Sequence, residues 1–208
     1  MVDLEFVENE LNKRLRYPYR WENIQTDKWD KRTRFIYHIR TFDELLDRLK
    51  KETIPRKIKW YAMNRWYNFW SAQAVETMFA LHDMVKANPD QYDKKWDFEI
   101  DETLKFDHKT SVFPRGYRKS FRSAKANRQS LIRWLYKHQS QQGRKHLENR
   151  LFLVLYERRN HEHWKLKADF PLLKREIDHY LRNYDEQNLL KLHLNNRVTY
   201  SDIIWIVK

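Results

Sequence analysis

Asp97, Asp107 and Lys109 put two carboxylates and an ammonium group within thirteen residues of one another. They lie in the stretch Trp96 to Tyr117, WDFEIDETLKFDHKTSVFPRGY. Within it, WDFEI and LKFDHKTSVF alternate apolar and polar residues with a period of two, which predicts two strands, and Asp101-Glu102-Thr103 reads as the tight turn between them. One face would be mostly apolar, and the other would hold Asp97, Glu99, Asp107 and Lys109. Pairing about Glu102 makes Asp97 and Asp107 cross-strand neighbours, with Cβ atoms roughly 4.5–5.5 Å apart, where like charges destabilise a sheet. A cation between them removes that cost. Carboxylate oxygens suit Mg²⁺ or Mn²⁺, and such an ion lowers the pKa of a bound water and neutralises charge on a phosphate. Lys109 could then orient or deprotonate the water, or stabilise a pentavalent transition state. The chemistry expected of this set is phosphodiester hydrolysis. A surface hairpin whose polar face is merely solvated satisfies the same pattern.

Asp97, nine intervening residues and then Asp107-His108-Lys109 resembles the D…(D/E)-x-K motif of the PD-(D/E)XK, or restriction-endonuclease-like, nucleases. The resemblance covers about residues 70 to 156. It implies Asp97 and Asp107 as metal ligands, Lys109 as the group that assists the nucleophile, and His108 as a ligand through its main chain only. Trp96 stands where the family name has Pro, and Asp101 is a rival first acid, although a turn is a poorer place for a rigid ligand. Glu76 falls among Ala74, Val75, Met78 and Phe79, where a carboxylate is expensive unless paired or metal-bound. A helix ahead of the two strands commonly presents a Glu to the metal in these nucleases, so the resemblance implies Glu76 as a third acid. The solvated edge of an apolar stripe would hold a Glu equally well, with Gln73 one turn earlier on the same face.

Leu4, Val7, Leu11 and Leu15 recur at helical spacing from Val2 to Leu15, and Tyr17-Pro18 ends that helix. Residues 19–34 read as a loop and Arg34 to Ile39 as a short strand. Thr41 and Glu44 form a capping box that opens a helix through Leu45, Leu46 and Leu49. No breaker interrupts the run from Pro55 to Asn88-Pro89, which predicts one long helix apolar on one side. Beyond the hairpin, Arg115, Arg118, Lys119 and Arg122 make a basic connection that could grip phosphates. A helix from about Ser123 through Leu131, Trp134 and Leu135 ends near Gly143. Its polar last turn offers Gln139, Gln141 and Arg144 as further substrate contacts, though a helix fading into solvent looks the same. Leu151 to Tyr156 has the unbroken apolarity of a strand covered on both faces. His161 and His163 lack further ligands and read as an exposed turn. Trp164 to Ala168 reads as a strand, Phe170 to Tyr184 as an amphipathic helix, and Leu189 to Leu194 and Thr199 to Val207 as closing strands.

Composition limits the rest. With 208 residues, 41% of them hydrophobic, the chain is most economically one domain. Forty-two basic against 29 acidic residues give a formal charge of +13, which points to a polyanionic partner, nucleic acid before membrane. No Cys is present, which excludes disulfides and thiolate zinc sites and is compatible with a reducing cytoplasm. With Gly only at 116 and 143, a glycine-rich phosphate loop is excluded. Most of the nine Trp are expected in the core rather than on bases.

The expected fold is α/β: a restriction-endonuclease-like mixed sheet flanked by helices, with residues 1–54 as a helical N-terminal extension, 55–156 as the catalytic core and 157–208 as closing strands and helix. The expected function is Mg²⁺- or Mn²⁺-dependent cleavage of DNA, for which a homodimer would suit double-strand cutting. A non-catalytic basic nucleic-acid-binding or accessory protein of a defence or repair system is the alternative.

Overall fold

A computed structural model of the chain describes residues 1–21, 27–51, 54–90, 93, 95–139, 148–194 and 197–208. It divides into two compact units, Met1–Val75 with Lys167–Phe170, and Glu76–Leu166 with Pro171–Lys208.

The first unit is helical, built from α1 (Leu4–Arg14), α2 (Asp27–Arg32), α3 (Phe42–Lys51) and most of α4 (Arg56–Ala80). Leu11, Ile36, Phe42, Leu45 and Trp66 fill its core. The indole N–H groups of Trp66 and Trp70 both donate to the carbonyl of Ile39, which ties α4 to the segment before α3. Thr41 caps α3 as its sequence predicts, accepting from Glu44 N at 3.2 Å. Arg14 is fully buried, and its guanidinium donates to the carbonyls of Tyr17 and Pro18.

The second unit holds a six-stranded mixed sheet in the order β1-β2-β3-β4-β6-β5. Its strands are β1 (Val85–Ala87), β2 (Phe98–Ile100), β3 (Leu104–Val112), β4 (Arg150–Tyr156), β5 (Leu190–Leu194) and β6 (Arg197–Val207). β1, β2 and β3 run antiparallel, β3, β4 and β6 run parallel, and β5 closes antiparallel on β6. The helices of this unit are α5 (Phe121–Ala126), α6 (Arg128–Gln139) and α7 (Phe170–Arg182), whose first residue belongs to the other unit. Leu131, Ile132, Leu135 and Tyr136 of α6 bury against Phe152, Val154 and Ile203 on one face of the sheet. Residues 151–155 are fully buried, as an apolar strand covered on both faces requires. The α/β class and the mixed sheet flanked by helices are therefore as expected. No helix among the described residues is long and apolar enough to cross a membrane.

The hairpin has the register expected of it: Phe98 faces Phe106 and Ile100 faces Leu104. Asp101 and Glu102 both take a positive φ of 53°, the left-handed conformation that a tight turn after a right-twisted strand demands.

Five local expectations fail. Arg34–Tyr37 is a 3₁₀ turn, not a strand; its N–H groups close locally, Ile36 N on Thr33 O and His38 N on Phe35 O. His163–Ala168 is likewise 3₁₀, with Lys165 N donating to Glu162 O. α4 stops at Ala80 although no Pro or Gly follows before Pro89, because Val85–Ala87 pair with Phe98–Ile100 and tertiary pairing overrides local helical pattern. Asn127, at φ −134° and ψ 73°, splits the expected helix after the hairpin into α5 and α6, and α5 begins at Phe121 because Ser120 caps it. Residues 19–34, expected as loop, contain α2.

Candidate metal centre

Phe79, in the last turn of α4, stacks on Phe98 of β2 with ring centroids 4.3 Å apart. That contact docks the end of α4 on the sheet. Glu76, three residues earlier, shares the face of Phe79. His108 of β3 lies 6.4 Å, ring to ring, from both Phe79 and Phe98, so its imidazole points to the same side. Asp97 stands where β2 begins. Its N–H donates to Phe106 O at 2.7 Å, and its carbonyl accepts from Asn88 N at 2.9 Å. Beyond it β2 has no further residue to pair with β3. The Asp97 carboxylate fills that gap: one oxygen accepts from the backbone N–H of His108 at 2.7 Å and lies 2.8 Å from His108 Nδ1. Ligand atoms of Glu76, Asp97 and His108 all lie within 4.8 Å of one another.

Burial works against charge on both members of the Asp97–His108 pair, yet both favour it. The hydrogen bonds and charge of His108, with Lys109 beyond, hold the Asp97 carboxyl below its ordinary value. Asp97 and Glu76 hold the His108 imidazole above its own, against burial and Lys109. A cation entering the cluster must displace the His108 proton, so its affinity rises with pH through that raised value.

Alternation along β3 sends Asp107 and Lys109 to the other face. Asp107 is buried there. One of its oxygens accepts from Lys109 Nζ at 2.6 Å and the other from Arg150 Nε at 2.9 Å. Arg150 is its partner in the parallel β3–β4 register and stacks its guanidinium 5.3 Å from the centre of the Tyr136 ring. Lys109 keeps nearly half of its side chain in solvent.

The structure thus brings Asp97 and Glu76 together with the side chain of His108, and sets Asp107 with Lys109 and Arg150. The two acids of the hairpin are neighbours in register but their carboxylates serve different partners, because Asp97 turns toward the N–H of His108. Arg115, Arg118, Lys119 and Arg122 are exposed beyond the far end of β3. Gln139 is the last residue of α6, and Gln141 and Arg144 lie outside the described residues. Two participants escape a reading of the sequence. The His108 side chain was hidden by its place in the apolar alternation. Arg150 looked like the polar boundary of an apolar strand; the one available signal was a cation at the first position of a strand buried on both faces, where it needs a counter-charge.

No protein-family model, curated protein or solved structure matches the chain.

Proposed function

We propose that the chain is a metal-dependent nuclease of restriction-endonuclease-like form that hydrolyses DNA phosphodiester bonds. The observation that carries this reading is the convergence of Glu76, Asp97 and His108 within 4.8 Å beside the hairpin that holds Lys109. Two carboxylates and an imidazole fit a divalent cation. The nitrogen ligand makes Mn²⁺ at least as suitable as Mg²⁺, whose preference is for oxygen. When bound, the ion supplies a Lewis acid and an acidified water.

The chain's own residues supply the rest. Asp107, fixed by Arg150, holds the Lys109 ammonium in one place while leaving it open to solvent, where it can donate to a phosphate oxygen. The exposed cations of the connection after β3 give phosphate contacts that position a strand without reading its sequence. A charge of +13 supports a polyanionic substrate.

A second reading, a basic nucleic-acid-binding protein without hydrolysis, is favoured by one feature: both Asp107 oxygens are already engaged by cations of the chain. Incubation with DNA in Mn²⁺ and in chelator separates the two. The nuclease reading expects Mn²⁺-dependent cleavage that Glu76→Gln lowers by about 10²–10³-fold, the size of loss seen when one electrostatic stabiliser is removed. Steeply salt-dependent DNA binding with no cleavage in any divalent ion would leave only the binder.

A further inference from the structure

The three parallel strands end side by side, β3 at Val112, β4 at Tyr156 and β6 at Val207. Phe113 N donates to Leu155 O at 2.9 Å and Arg158 N to Lys208 O at 3.0 Å, so the segments that follow β3 and β4 leave from one rim. In open α/β sheets the carboxyl ends of parallel strands are where ligands bind.

The rim carries a stack of aromatic rings. Phe121 and Tyr156 lie face to face, 3.9 Å apart and 2° from parallel, and His163 stacks 5.0 Å from Tyr156. Phe113 stands edge-on to Phe121 and Tyr156, 5.6 Å from each. All four rings are only half-buried. Around them Arg115, Arg118, Arg122, Arg158 and Arg159 are exposed, and none forms an ion pair among the described residues. The contact of Phe113 with Tyr156 brings the segments following β3 and β4 together, and burial, His161 and Arg115 disfavour protonation of His163 while Glu157 favours it. The connection is also held in place: Tyr117 is buried, and a Cβ added at Gly116 would come within 3.1 Å of the Trp134 ring. A surface ordered in advance loses less entropy on binding.

We infer that this rim binds single-stranded nucleic acid, its arginines on the phosphates and an unpaired base extending the Phe121, Tyr156 and His163 stack. A duplex keeps its base faces covered and would gain from the arginines alone, whereas every unpaired base offers a π-face. Lys109 is three residues back along β3, about 10 Å at strand rise, so a strand held on the rim reaches it. The inference takes its polyanion from the nuclease reading, but its test needs neither metal nor cleavage.

Fluorescence anisotropy in chelator, with the Asp97→Asn protein, compares an oligothymidylate of about 20 nucleotides with a blunt duplex of the same length. The single strand is expected to bind about ten-fold more tightly or better. Arg158→Glu with Arg159→Glu should lower its affinity at least about ten-fold and reduce the salt slope by about 2. Tyr156→Leu should lose about ten-fold for the single strand only, and Tyr156→Phe, which keeps the ring, should lose nothing. Equal affinity for the two forms, indifference to the arginine pair, or competition by heparin as effective as by oligothymidylate would each overturn the inference. A protein that cleaves in Mn²⁺ but prefers duplex keeps the nuclease reading and loses this one. One that prefers single strands and never cleaves does the reverse.

Discussion

Lys109→Ala is expected to lower phosphodiester cleavage by about 10²–10³-fold, the loss that follows removal of one electrostatic stabiliser, while Mn²⁺ affinity and thermal stability change little. Lys109 lies outside the cluster of Glu76, Asp97 and His108, so the ligand atoms survive its removal. Its side chain is 45% exposed, so the ion pair with Asp107 contributes little stability of its own. Asp107 also keeps Arg150 as a partner after the substitution. The ammonium therefore matters for what it presents to a substrate rather than for the fold. Steady-state cleavage, with calorimetric Mn²⁺ binding as control, checks this. Cleavage within a few-fold of the parent would remove Lys109 from the mechanism.

Arg150→Met has a different expected outcome, a loss of stability of up to about 3–5 kcal/mol, because it takes the buried partner from Asp107 and leaves only the half-exposed Lys109 as a counter-charge. Only 4% of the Arg150 side chain and 8% of that of Asp107 reach solvent. Adding Asp107→Asn removes the carboxylate left with one half-exposed partner, and much of the loss should return, since deleting both charges of a buried pair is far less costly than deleting one. Urea unfolding of the single and double variants measures the coupling. Equal stability of Arg150→Met and the parent would show that the pair is structurally idle. In the double variant Lys109 has lost its charged anchor, so cleavage should stay depressed after stability recovers.

Much of the scaffold is written locally in the sequence. Alternation in WDFEI and LKFDHKTSVF sets the hairpin register, and six apolar residues from Leu151 mark a strand that the sheet then covers on both faces. The capping pattern at Thr41 and the amphipathic run from Phe170 give helices where expected. What escaped depends on partners distant in sequence. The end of α4 is decided by pairing of Val85–Ala87 with a strand ten or more residues later, which no local signal announces. The strands expected at residues 34–39 and 164–168 have apolar residues at plausible spacing but no strand among the described residues to pair with, and a short segment without one closes its own hydrogen bonds as a 3₁₀ turn.

At the site, residue types and spacing placed Asp97 opposite Asp107 and Lys109 beside Asp107. They could not show which way each carboxylate turns. That choice rests on two facts of the assembled sheet: β2 runs out at Asp97, leaving the His108 N–H for its side chain, and the parallel register sets Arg150 against Asp107. The first draws Asp97 away from the face that strict alternation assigns to both acids, and the second holds Asp107 on it.

Calorimetric titration with Mn²⁺ tests whether Glu76, Asp97 and His108 hold a divalent cation. Binding should be present in the parent chain, strengthen as pH rises through the raised His108 value, and fall by at least about ten-fold in Asp97→Asn, where a neutral amide replaces the charged oxygen ligand. Mn²⁺ binding that is absent at every pH, or unchanged in Asp97→Asn, would contradict it.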